Sequence, residues 1–194
     1  RKQSLKIAEQ YADAKAIQQQ MISLAVDPSL EVQYQAAFSL GAFESSARNA
    51  ALADLLKRHA ANQWIRMAVQ SSLDQGAGEV FEFLIKNNKS LKEKQIQQFL
   101  VALAVQIGAQ QEAGNVKRVL AALEALPESH QKLAEILFRN LLSRASNETK
   151  QVIAKSDSDH TAKLLKGMMQ SAIAQATNDK AAVKARVEAI PTLS

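Results

Sequence analysis

The sequence predicts an all-α protein built as an α-α superhelix, a stack of antiparallel helix pairs. Ala, Leu and Gln, all compatible with helices, fill 76 of the 194 positions, whereas only 6 Gly and 3 Pro supply turns. Apolar residues recur at helical spacing along almost the whole chain, and no segment alternates as a strand does. Aromatic residues make up 5% of the chain, so we expect a core that depends on close approach between helices.

Ten apolar stripes place the helices in order along the chain. Each stripe repeats every three or four residues, so that one face of each helix turns towards a core. The stripes cover residues 17–25, 32–40, 52–59, 64–73, 80–84, 96–107, 116–126, 133–141, 164–173 and 183–190. The last of them is amphipathic and is expected to end or bend at Pro191.

Caps and glycines predict where the first helices begin and end. Asp27 can cap the second helix, and Pro28 suits its first position because proline lacks the N–H group that this position leaves unpaired. That helix is expected to end near Gly41. Gly76 and Gly78 are expected to form the turn before the stripe at 80–84. A helix-entry turn explains both glycines without a phosphate-binding loop.

Similar signals predict the bounds of the central helices. Ser90 and Glu93 have the spacing of a capping box, in which each side chain pairs with the backbone N–H of the other residue. The helix that follows is expected to be the longest in the chain. Gly114 and Asn115 are expected to separate it from the next helix, which Pro127 ends.

An internal repeat relates two of the predicted helices. Residues 31–40 (EVQYQAAFSL) align with residues 64–73 (WIRMAVQSSL) at an offset of 33 positions, and weaker echoes lie at 99–108 and 183–193. A period in this range is typical of stacked helix pairs, because no single pair can bury its apolar face alone. Residues 1–194 are therefore expected to form a single repeat domain.

Several short motifs at the second stripe resemble a HEAT repeat. They are Asp27-Pro28, Val32, Ala36-Ala37 and Leu40-Gly41. The resemblance implies a HEAT-like or armadillo-like fold, in which small residues such as Ala36 and Ala37 let helices approach closely. Gln33 stands where many HEAT repeats have Arg, so the charged ladder between HEAT repeats is not carried over.

A more specific resemblance covers residues 27–73, about a quarter of the chain. Residues 32–41 (VQYQAAFSLG) and 64–73 resemble the HEAT section of large planctomycete and verrucomicrobial proteins, which are regarded as membrane-bound dehydrogenases with a haem-binding Cys-x-x-Cys-His domain. In those proteins a β-propeller part precedes the HEAT section and a cytochrome c-like part follows it. The resemblance implies an exported, non-catalytic scaffold that contacts flanking domains or partner proteins. Any haem c would belong to another part of the protein.

The first residue of the sequence bears on whether it is part of a larger protein. It begins with Arg1 and no signal peptide follows, so we expect a fragment of a larger protein.

Because there is no cysteine, disulfides, thiolate nucleophiles and Cys-ligated metals are excluded. The longest apolar run, 99–105, is far shorter than the ~20 residues that cross a bilayer. No membrane-spanning segment, catalytic residue, cofactor site or metal ligand is predicted.

The net charge of +5 is too small an excess to indicate a nucleic-acid partner by itself. Its densest part, Lys86, Lys89, Lys92 and Lys94, lies in a predicted loop without aromatic residues and is interpreted as a solvated loop, with a phosphate-binding patch as the alternative.

The alternative function is nucleic-acid binding by a HEAT-like protein that resembles the alkylpurine DNA glycosylases. Trp64 and Tyr34 would then be aromatic residues of the concave face. Against it, the Lys and Arg residues are scattered along the whole chain rather than gathered at one groove.

The remaining candidates for chemistry are interpreted as structural. His59, His130 and His160 lie on different predicted helices, and none has a second histidine at helical spacing. Asp157 and Asp159 are interpreted as caps rather than an acid–base pair.

Met168 and Met169 share the period of Leu164, Leu165 and Ile173 and are expected in the core. The alternative is an adaptable binding face, since methionine side chains adjust readily to different partners.

Overall fold

The computed structural model describes residues 1–87, 90–110, 112–156 and 159–178. Within these ranges all regular structure is helical, which confirms the all-α prediction. The eleven α-helices found there are α1 (Lys2–Ala8), α2 (Lys15–Ser23), α3 (Leu30–Ser39), α4 (Ser46–Arg58), α5 (Gln63–Ser71), α6 (Ala77–Lys86), α7 (Lys94–Ala109), α8 (Ala113–Glu124), α9 (Gln131–Ser143), α10 (Asn147–Ala154) and α11 (Asp159–Ala176).

The predicted turns before α3 and α6 exist, but the first differs in detail. Asp27 Oδ1 accepts a hydrogen bond from Ser29 N at 2.9 Å, which closes a turn ahead of the helix. Ser29 is then the N-cap. Pro28 therefore precedes the helix, whereas the sequence predicts it at the first helical position. Before α6, Gly76 has φ +72°, a left-handed conformation that favours glycine, and the predicted helix-entry turn is confirmed.

The predicted capping box before α7 is wrong. Residues Ser90–Lys92 form a 3₁₀ turn, and Glu93 is the N-cap of a helix that begins at Lys94. Leu91 is buried in this turn, and Gln97 Nε2 donates to the Leu91 carbonyl oxygen at 2.6 Å. The buried Leu91 and its bond to Gln97 therefore hold the backbone ahead of the helix, and Glu93 caps α7 without a side-chain hydrogen bond.

Two further boundaries differ from the sequence prediction. α7 has 16 residues but α11 has 18, so α7 is not the longest helix. Gly114 and Asn115 lie inside the first turn of α8 rather than between helices. The reason is the buried Asn115 side chain, whose Oδ1 accepts from Gly78 N at 3.1 Å and whose Nδ2 donates to Glu112 Oε2 at 2.7 Å.

Helices two apart in the chain pack against each other. α1 contacts α3 and α3 contacts α5; α4 contacts α6, α6 contacts α8, and α8 contacts α10; α7 contacts α9, and α9 contacts α11. Neighbouring helices such as α3 and α4, α4 and α5, or α6 and α7 also touch. α7 reaches the end of α5 through Gln106 Nε2, which donates to the Leu73 carbonyl oxygen at 2.8 Å.

The core lies where these helices meet and is built largely from Leu, Ile, Val and Ala. Ala36 and Ala37 are fully buried, as expected for residues that let helices approach. The largest buried apolar side chains include Phe81 and Phe138. At Gly108 a Cβ atom would overlap the Leu141 carbonyl oxygen, so α7 and α9 are in backbone contact there. The predicted helix at 183–190 and Pro191 lie outside the described residues.

Candidate functional site

A groove with a volume of about 440 Å³ lies at the amino ends of α3 and α5. Its lining is mostly apolar and includes both aromatic residues that the sequence singled out. The lining residues are Lys2, Leu30, Glu31, Tyr34, Asn62, Trp64 and Ile65. The structure thus brings Tyr34 and Trp64 together from two different helices.

The α3 side of the groove is a ridge of apolar side chains. Leu30, Tyr34 and Phe38 are spaced four residues apart, so they share one face of the helix. The Tyr34 and Phe38 rings meet edge to face, with centroids 5.0 Å apart and planes at 87°. Leu30 and Phe38 are 45% and 39% exposed, whereas Tyr34 between them is half-buried and packs against the core.

The α5 side is positioned by a helix cap. Asn62 Oδ1 accepts hydrogen bonds from Trp64 N at 3.0 Å and Ile65 N at 3.3 Å, which fixes the first turn of α5. With Ile65 directed into the core, Trp64 and Met67 fall on the outer face of α5 and are 56% and 59% exposed. A large exposed apolar surface of this kind marks an interaction site more often than a scattered apolar residue does.

Charged groups border one end of the groove. Lys2 Nζ lies 3.8 Å from Glu31 Oε2, which is longer than a hydrogen bond, and both side chains are exposed. Arg1 Nη1 lies 2.7 Å from Asp27 Oδ2, and this carboxylate is only 3% exposed. The charge of Asp27 is therefore compensated within the chain by Arg1, and Lys2 and Glu31 form a longer ion pair at the exposed edge of the groove.

A second polar cluster surrounds Arg48, which the sequence analysis did not single out. Arg48 is 1% exposed, and its guanidinium donates to the Leu40 carbonyl oxygen at 2.9 Å, to the Ser72 carbonyl oxygen and to Asn49 Oδ1 at 2.9 Å. Burial lowers the pKa of the Arg48 guanidinium, and the charges of Glu44 and Glu79 partly offset this effect.

The partners of Arg48 indicate what this cluster does. Leu40 and Ser72 follow the last residues of α3 and α5, so Arg48 hydrogen-bonds to the carboxyl ends of both helices. Ser72 Oγ also donates to the Ala37 carbonyl oxygen at 2.7 Å. The cluster holds α3 and α5 together, and with them the two walls of the groove.

His59 belongs to a small polar cluster at the end of α4. Its Nε2 lies 2.6 Å from Gln33 Oε1, which also accepts from Arg58 Nη1 at 3.2 Å, while Gln33 Nε2 donates to the Asp27 carbonyl oxygen at 2.6 Å. Burial, and to a lesser extent the charge of Arg58, lower the pKa of His59. Gln33 therefore connects α3 to α4 through its side-chain amide.

The other histidines lie elsewhere. His130 ends a 3₁₀ turn, and its Nδ1 is 3.1 Å from Ser129 Oγ. The side chain of His160 is outside what the structure describes, as are those of Asp157 and Asp159. Among the described residues no three His, Cys, Asp or Glu side chains gather as metal ligands, and no helix is long and apolar enough to cross a membrane.

The lysine-rich segment begins with a paired lysine. Lys86 Nζ lies 2.6 Å from Glu82 Oε1, and Arg118 Nη1 lies 3.0 Å from Glu82 Oε2. The hydrogen bond from Lys86 in particular lowers the pKa of Glu82. Lys92 and Lys94 stand at the end of the 3₁₀ turn and at the start of α7, and Lys89 is outside the described residues.

The prediction that Met168 and Met169 belong to the core is wrong for Met169, which is 50% exposed. Leu165 and Ile173, one helical turn away on either side, are 37% and 49% exposed. Leu164 points the other way and is buried. The stripe at 164–173 is thus divided between two faces of α11. Met169 lies on the exposed face with Leu165 and not on the buried face with Leu164. The side chain of Met168 is outside the described residues.

Sequence reasoning found the aromatic residues of the groove but missed Lys2, Leu30 and Asn62. Leu30 follows the Asp-Pro turn and carried no signal of exposure, because an exposed and a buried leucine look alike in sequence. Asn62 had a recognisable signal, since asparagine ahead of an apolar helix is a common N-cap. No family model, no curated protein and no solved structure is significantly similar to this chain.

Proposed function

We propose that this chain is a non-catalytic helical-repeat scaffold of the HEAT type, whose groove between α3 and α5 binds flanking domains or partner proteins. The observation that carries this proposal is the exposed apolar surface of Leu30, Phe38, Trp64 and Met67, which lies on two helices that Arg48 holds together. Binding of a partner that covers such a surface is favourable, because it removes apolar area from water.

Contacts between helices two apart support the repeat architecture. Several hydrogen bonds between side chains and backbone carry a similar separation in sequence. Ser72 Oγ bonds to a residue 35 positions earlier, Gln106 Nε2 to one 33 positions earlier, and Ser146 Oγ to one 36 positions earlier. A separation near the 33-residue offset of the sequence repeat is expected for a superhelix of stacked helix pairs.

The larger setting of the scaffold rests on the resemblance of residues 27–73. We propose that the chain is a section of a bacterial protein of the dehydrogenase and cytochrome type, exported from the cytoplasm, in which other domains carry any redox chemistry and haem c. In that setting the groove would contact the β-propeller part, the cytochrome c-like part or a separate protein.

Nucleic-acid binding is the second candidate, and one observation favours it. Tyr34 and Trp64 share a groove with Lys2, so two rings for base stacking lie near a cation. Against it, Glu31 lies in the same groove, and the Lys86 charge is paired with Glu82.

The test compares both functions directly. A labelled DNA duplex is titrated with the chain at low and moderate salt, and the separately expressed β-propeller and cytochrome c-like domains of the same protein are tested for binding to the chain. We expect a domain to bind, to bind more weakly after Trp64→Ala, and the duplex to show no strong binding. Tight duplex binding that weakens steeply with salt would overturn the scaffold proposal in favour of nucleic acid.

A further inference from the structure

We propose that the exposed apolar face of α11 is a docking surface for a later segment of the same chain, residues 183–190, which packs there as an antiparallel helix. The evidence is the position of this face on α11, its match in length to the apolar stripe at 183–190, and the short connection between the two segments. This inference does not depend on the proposed binding groove, which lies on α3 and α5.

The exposed face of α11 is a ridge of three apolar side chains. Leu165, Met169 and Ile173 are 37%, 50% and 49% exposed, and a spacing of four residues places them on one side of the helix. At 1.5 Å per residue, the ridge is about 12 Å long. Covering it is favourable, because this removes apolar area from water.

The ridge lies on the side of α11 that points away from α9. A Cβ atom at Gly167 would lie 3.1 Å from Glu135 Oε1, so Gly167 marks the side of α11 that contacts α9. At 3.6 residues per turn, Leu165 and Met169 each lie about 160° around the helix from Gly167. The described part of the chain ends two residues after α11, at Asn178, so the ridge is open to the segment that follows.

The segment after α11 carries an apolar stripe of matching length. Val183, Val187 and Ile190 are spaced by four and three residues, so a helix over 183–190 would place all three on one side. That stripe would be about 11 Å long, close to the length of the ridge on α11. Each segment therefore has three apolar side chains to contribute to a shared interface.

The short connection favours an antiparallel return along α11. Residues 177–182 separate the end of α11 from Val183. Connections of about two to eight residues between helices favour antiparallel neighbours. Earlier in the chain α4 and α5, which residues 59–62 connect, contact each other. An antiparallel return would bring Val187, in the middle of its stripe, opposite Met169, in the middle of the ridge.

Disulfide trapping tests this contact directly, because the sequence contains no cysteine. The full chain with Met169→Cys and Val187→Cys is oxidised with diamide, and the products are followed on a non-reducing gel and by mass spectrometry. A disulfide requires Cα atoms within about 7 Å, so we expect an intramolecular disulfide to form in the monomer. The matched control combines Val187→Cys with Gln170→Cys, since Gln170 is exposed, adjacent in sequence and on another side of α11. It should form the disulfide about tenfold more slowly.

A second pair of variants tests the same contact without cysteine. Val187→Asp places a charge in the proposed interface and should raise the hydrogen exchange of the α11 amides about tenfold. Ala185→Asp is the control, because a helix over 183–190 would place Ala185 on the side opposite the apolar stripe. That variant should leave the exchange of α11 unchanged.

The outcomes separate this occupant from others. Equal trapping of the two cysteine pairs, or trapping of neither, would overturn the proposal. Disulfide-linked dimers that increase with protein concentration would assign the ridge to a second copy of the chain instead. An equal rise in hydrogen exchange in both Asp variants would likewise contradict a contact through Val187.

Discussion

The guanidinium of Arg48 donates a hydrogen bond to the carbonyl oxygen of Ser72, which lies 24 positions further along the chain at the end of α5. The same group bonds to the Leu40 carbonyl oxygen after α3. A cation is favourable at a helix carboxyl end because the unpaired carbonyl groups there carry partial negative charge. One buried side chain on α4 therefore completes the ends of the two helices that form the groove.

Replacing Arg48 by Met should destabilise the chain by about 3 kcal/mol, because it leaves buried carbonyl oxygens of Leu40 and Ser72 without donors. Urea unfolding measures the change. Arg139→Met is the control: Arg139 is exposed on α9, and its loss should alter the free energy of unfolding by no more than about 0.5 kcal/mol. Similar values for both variants would contradict a structural role for the Arg48 hydrogen bonds.

Replacing two of the glycines by alanine should change the stability of the chain in opposite directions. Gly108→Ala should cost about 2 kcal/mol or more, because the added methyl group overlaps the Leu141 backbone where α7 meets α9. Gly114→Ala should stabilise the chain by about 0.5–1 kcal/mol, since this residue lies in α8 with open space around it. Thermal or urea unfolding of both variants checks the pair. A stable Gly108→Ala variant would mean that α7 and α9 are further apart than described.

His59 should make the free energy of unfolding depend on pH. Burial lowers its pKa in the folded state below the ordinary value of 6.5, so the unfolded chain binds the proton more tightly. This contribution is complete above about pH 6.5, and stability falls as the pH drops from there towards the folded-state pKa. Urea unfolding near neutral and mildly acidic pH should show a smaller loss for His59→Gln than for the parent chain. Equal losses would show that His59 does not contribute.

The cap at Asn62 should control the stability of the α5 side of the groove. Asn62→Ala removes the acceptor for Trp64 N and Ile65 N and should destabilise the chain by about 1 kcal/mol. Asn62→Asp keeps an acceptor and should retain most of that stability. The emission of Trp64 reports on the same turn during unfolding. If Ala and Asp behave alike at this position, the cap is not what fixes the first turn of α5.

Much of the fold could be predicted from the sequence because helices depend on local patterns. The apolar period located the α3 and α5 stripes, and the glycine turn before α6 needed only the backbone preference of Gly76. The start of α7 could not be predicted, because the burial of Leu91 outweighs the capping signal of Ser90 and Glu93. Burial of this kind depends on contacts with residues distant in sequence.

The candidate site was predictable only in part. Tyr34 and Trp64 stood out as the aromatic residues of the repeat, but their separation of 30 positions gave no distance between them. Arg48 gave no signal at all, because a buried arginine and an exposed one follow the same helical pattern. The exposure of Met169 was also mistaken, since a shared period with Leu164 does not fix which of two adjacent faces a side chain occupies.

The hydrogen bonds that join successive helix ends also bear on how the chain acquires its structure during synthesis. Ser72 to Ala37, Gln106 to Leu73 and Thr149 to Gly108 each span between 33 and 41 positions. A ribosome therefore needs to release only a short further length before each helix meets its partner. Because closing such short loops costs little entropy, the amino-terminal helices can assemble while the carboxyl-terminal ones are still being made. The groove between α3 and α5 would be complete early, before α9 and α11 exist.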